Sequence, residues 1–144
     1  MEYLIILIVF IFLFGSVSLF IPSKRTRKLA KLRLDAAKLG FKIASILHSN
    51  ISYKSDDIKL VSYQLRNNTN IKEGHFIRDK KEFILYSPQK LKYSDEYEAL
   101  IVDIKSLPES IIEIIFSKAV IAFLWNEDLG IEELKNIKSN LKKL

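Results

Sequence analysis

The chain has 144 residues, with 23 Lys/Arg against 17 Asp/Glu, a formal net charge of +6 and no cysteine. The length admits one small domain plus an additional segment, and the missing thiols exclude disulfides and thiolate metal sites. Residues 1–40 hold 7 Lys/Arg and 2 Asp/Glu, leaving 16 and 15 in residues 41–144. The basicity therefore belongs to one segment, not to a folded basic face of the kind that binds nucleic acid.

Tyr3 to Ile21 is uncharged, and all of it except Tyr3, Gly15, Ser16 and Ser18 is Ile, Leu, Val or Phe. As a helix it is about 28 Å long, close to the roughly 30 Å hydrocarbon thickness of a bilayer. The expectation is a transmembrane anchor over residues 1–22. A cleaved signal peptide is not expected, because Met1-Glu2 supplies no cation and Leu19-Phe20-Ile21-Pro22 no small-x-small site. Lys24, Arg25, Arg27, Lys28, Lys31 and Arg33 follow at once. By the positive-inside rule they place the N-terminus outside and residues 22–144 in the cytoplasm.

Pro22 closes the apolar run, and Ser23 is placed to cap a second helix that Gly40 ends. On this juxtamembrane helix, residues 23–40, Leu29, Leu32, Ala36 and Leu39 share one face, and Lys24, Arg27, Lys28, Lys31 and Lys38 the opposite one. The apolar face is expected to dock on the following domain. The cations at 24, 25, 27, 28, 31 and 33 are the candidate contacts for anionic lipid. No aromatic side chain is interleaved among them for stacking on bases, so nucleic acid is not expected as a partner.

From Phe41 the apolar period changes to two. Strands are expected near 41–47, over 58–66, 82–87, 98–104 and 119–125, with a loop at 67–74. Residues 107–116 read as a helical turn or a short strand. Ile131, Leu134, Ile137, Leu141 and Leu144 repeat at three or four, with Glu132 and Glu133 in the first turn and Lys142 and Lys143 in the last. That pattern predicts a C-terminal helix. The fold class is α+β: a small, mostly antiparallel sheet of four or five strands over residues 41–144, behind the two N-terminal helices.

Chemistry-bearing motifs are sparse. His48 and His75 have no ligand-type spacing to each other or to a carboxylate and read as surface or turn residues. Asp56-Asp57 and Asp95-Glu96 read as solvated turns. The four glycines, at 15, 40, 74 and 130, are isolated and form no phosphate loop. Asn50-Ile51-Ser52 and Asn67-Asn68-Thr69 match glycosylation sequons, which the cytoplasmic placement makes idle. Trp125, beside Asn126 and Glu127, is the candidate anchor for a protein partner or else a strand-end core residue. No catalytic, cofactor or metal residue is expected, and no enzymatic activity.

Several short motifs carry a resemblance: Pro22-Ser23 with the basics at 24–28, Leu32-Arg33, Ala36-Ala37, Gly40, Leu107-Pro108-Glu109-Ser110 and Leu124-Trp125-Asn126-Glu127. In these the chain resembles a family of small single-pass inner-membrane proteins of gammaproteobacteria, sometimes labelled as resembling the preprotein translocase subunit YajC. The resemblance implies a membrane-anchored interaction or assembly accessory of a membrane complex, with a protein partner in or at the membrane. The alternative is a membrane-tethered binding module for anionic lipid or a small ligand.

Overall fold

A computed structural model describes residues 2–20, 23–44 and 60–144, with side chains from residue 3 to residue 16 in the first stretch. His48, the sequon at 50–52, Asp56-Asp57 and residues 45–47 of the strand expected near 41–47 lie outside the described residues. The chain forms two compact units, residues 1–31 and 32–144.

The first unit holds helix α1 (Glu2–Phe20) and the first turns of helix α2 (Lys24–Lys38). The transmembrane anchor expected over residues 1–22 is corrected here: among the described residues, no helix is long and apolar enough to cross a membrane. The single-pass and inner-membrane assignments, and the orientation deduced from the positive-inside rule, fall with the span. Ser23 caps α2 as expected, its Oγ accepting the Thr26 amide at 3.2 Å.

At its other end α2 stops in a left-handed glycine. Gly40 has φ +90°, the Gly40 amide donates to the Ala37 carbonyl, and the Phe41 amide to the Ala36 carbonyl. This paired arrangement satisfies the last carbonyls of the helix and turns the chain into the sheet. Leu32 and Ala36 are buried, while the cations at 24, 25, 27, 28 and 31 are exposed.

The second unit is α+β, an antiparallel sheet with helices, but the sheet has six strands where four or five were expected. Its strands are β1 (Lys42–Ile43), β2 (Leu60–Arg66), β3 (Gly74–Asp79), β4 (Glu82–Ser87), β5 (Ile111–Phe116) and β6 (Val120–Asn126), in the order β1-β2-β6-β5-β3-β4. Between β4 and β5 lie a 3₁₀ turn (Gln89–Tyr93) and helix α3 (Tyr97–Lys105). Helix α4 (Ile131–Leu141) follows β6.

Two local readings are corrected. Residues 98–104, expected as a strand, are helical. Leu100, Ile101 and Ile104 recur at helical spacing, and Val102 and Asp103 face solvent. Strand β3 was not anticipated, because His75 and Arg78 break the apolar pattern that a buried strand normally shows.

Register places the core on one sheet face. Tyr63 opposes Phe123, Val61 opposes Trp125, and Ile114 lies opposite both Phe123 and Phe76. Phe41, Tyr63, Phe123 and Trp125 form a chain of tilted and edge-on rings with centroids 5.5–6.4 Å apart. The helices add Leu32, Ala36, Ile104, Leu134, Ile137 and Leu141 to the buried set. Each large aliphatic fully buried contributes about 1.5–3 kcal/mol. On the opposite face, Ser62, Leu124, Glu113 and Ile77 line up in register.

Candidate functional site

The polar constellation of that opposite face is built by two adjacent strands. His75 is the second residue of β3, Glu113 sits in β5, and two residues of register separate them, since His75 opposes Ile115 and Ile77 opposes Glu113. That diagonal is within reach of long side chains. His75 Nε2 and Glu113 Oε1 are hydrogen-bonded at 2.5 Å. The Glu113 side chain is 1% exposed and that of His75 18%.

Each strand shifts register beside its site residue, β5 between Ile111 and Glu113, and β3 between His75 and Phe76. Such bulges re-aim side chains. The Tyr86 ring stands edge-on to the imidazole at 4.9 Å. Glu113 Oε2 is buried without a hydrogen-bond partner, as is Ser62 Oγ on the same face. A carboxylate that grips one imidazole nitrogen orients the ring and leaves Nδ1 for any further partner. Among the described residues no group of three His, Cys, Asp or Glu could hold a metal ion.

A second constellation ties α2 to the sheet. Arg33 donates to Glu127 through Nε at 2.9 Å and Nη2 at 2.8 Å, a two-pronged contact. The Tyr63 hydroxyl donates to the same carboxylate at 2.7 Å. Burial by itself would raise the Glu127 pKa, but the hydrogen bonds from Arg33 and Tyr63 outweigh it and hold the carboxyl below its ordinary value. Burial, with the hydrogen bond to Glu127, pushes the Tyr63 phenol well above its ordinary value. Asn126 contributes locally, its Oδ1 accepting the Asp128 amide in the turn after β6.

Of the candidates named from sequence, Lys24, Arg25, Arg27, Lys28 and Lys31 stand exposed on α2, whereas Arg33 is committed to Glu127. Trp125 is fully buried against Tyr63, so its indole presents no surface to a partner. His75, read as a surface or turn residue, is a strand residue paired with a buried carboxylate.

Sequence reasoning missed Glu113, Glu127, Tyr63 and Arg78. Arg78 is buried, and its guanidinium donates to the carbonyls of Ile111, Leu107, Pro108 and Lys81. A charged residue embedded in an apolar strand, as Glu113 is in Ile111-Ile112-Glu113-Ile114-Ile115, is the one signal that could have found such sites. No protein-family model, curated protein or solved structure matches the chain.

Proposed function

We propose that this protein acts by association, as an interaction or assembly component, rather than by catalysis. The observation that carries this reading is the exposure of α1. From Leu4 to Phe14 every side chain is apolar and 50–78% exposed. Covering such a surface is favourable by about 25 cal/mol per Å² of apolar area removed from water. Contiguous exposed apolar area on this scale marks an interaction surface.

The test places a photo-crosslinking amino acid at Ile6 or Phe10 of the full chain in cells, with Lys135 as an exposed control position. Discrete protein adducts from positions 6 and 10, and not from 135, are expected. Adducts to lipid alone, or no adducts, would overturn the assembly reading.

A further inference from the structure

We infer that the groove beside α3 is a docking site for helix α2 of a second copy of this chain. The groove, about 760 Å³, is formed by the loop before β3, the 3₁₀ turn after β4, α3 and Leu144. Ile71, Leu91, Leu100 and Leu144 line it and are only half covered. The exposed Glu73, Glu96 and Asp103 line it as well, against Lys72. Glu73 also lies 3.6 Å from Lys90, an exposed pair that leaves Glu96 and Asp103 as the main negative charges. Residues 93–104 include Asp95, Glu96, Glu98 and Asp103 and no Lys or Arg. This is an acidic, apolar groove on a chain whose net charge is +6.

The complementary surface is on the same molecule. Along α2, Arg27, Lys31 and Leu34 recur at helical spacing, joined by Lys24 and Lys28, and all five are exposed. Leu34 is 60% exposed although it lies between the buried Leu32 and Ala36. A helix that offers one leucine among cations fits a groove that offers apolar side chains among carboxylates, and opposite potentials favour this pairing over others. Each contact seats the α2 of one copy in the groove of the other. It uses surfaces other than α1 and does not rest on the association reading of α1.

The chain has no cysteine, so disulfide trapping between full-length copies is unambiguous. One copy carries Lys28→Cys and the other Asp103→Cys. Lys135→Cys replaces Lys28→Cys as the control, all in one detergent that covers α1. The trapped pair is expected at least five-fold above the control pair. Adding Glu96→Lys to the groove copy should cut it several-fold, as should raising salt well above physiological strength.

Equal trapping of the control pair would show collision or α1-driven association only, and would overturn the proposal. So would a disulfide that forms within one chain carrying both cysteines, independent of protein concentration. Failure of the cross-links at positions 6 and 10 would leave this contact untouched.

Discussion

The Arg33–Glu127 contact is the joint between α2 and the sheet, and Arg33→Met tests it. Removing one partner of a fully buried ion pair costs about 3–5 kcal/mol, because the other charge is left without compensation. Glu127 is buried, but the Arg33 side chain is 44% exposed, so solvent already screens part of the attraction. The stranded carboxylate also keeps the Tyr63 hydroxyl. The loss should therefore be about 2 kcal/mol. With a urea m-value of about 1.5 kcal/mol/M for a unit of this size, the midpoint falls by about 1.3 M. Trp125 is the one tryptophan in the chain and is fully buried, so its emission reports unfolding of residues 32–144 directly.

The pH dependence has a definite sign. The folded-state pKa of Glu127 is depressed, so its contribution is complete above the unfolded value of about 4.3 and is lost as pH falls through the folded value. Wild-type stability should drop in that acid window, and Arg33→Met should flatten the drop. A double-mutant cycle with Glu127→Met should return a coupling of at least 1 kcal/mol. A midpoint shift under 0.3 M together with negligible coupling would refute the reasoning.

Three further outcomes follow from the geometry. His75→Phe strands the Glu113 carboxylate and should cost at least about 2 kcal/mol, while His75→Phe with Glu113→Leu should recover most of it in the same urea assay. If the double variant is no better than the single, the His75–Glu113 contact is not what compensates the buried Glu113 side chain. Arg78→Lys loses the planar fork that reaches the carbonyls of Leu107, Pro108 and Ile111. It should cost about 2 kcal/mol and speed hydrogen exchange in residues 107–111. Gly74→Ala would put a Cβ 2.7 Å from the ring of the fully buried Phe76; overpacking of about 1–3 kcal/mol should appear as a lowered midpoint.

Local chemistry was readable from the residues alone. Ser23 and Gly40 bound α2 because a side-chain oxygen and a residue free to adopt positive φ are what helix ends require. The three-and-four spacing from Ile131 marks α4, and β2, β4 and β6 announce themselves by their alternating or continuous apolar runs. Residues 98–104 were misread because a short apolar run is compatible with either period until its neighbours decide which side is buried.

The site was decided by tertiary structure. Arg33 and Glu127 are 94 residues apart, Tyr63 and Glu127 64, and His75 and Glu113 38. Each pair meets only because strand order and register carry the residues together, which no spacing along the chain encodes. Burial was decided there too: Trp125, a candidate anchor by composition, lies in the ring cluster, while Leu34 and the run from Leu4 to Phe14 remain exposed. Hydrophobicity is a property of a residue, but whether it is spent on the core or kept for a partner depends on which elements pack over it.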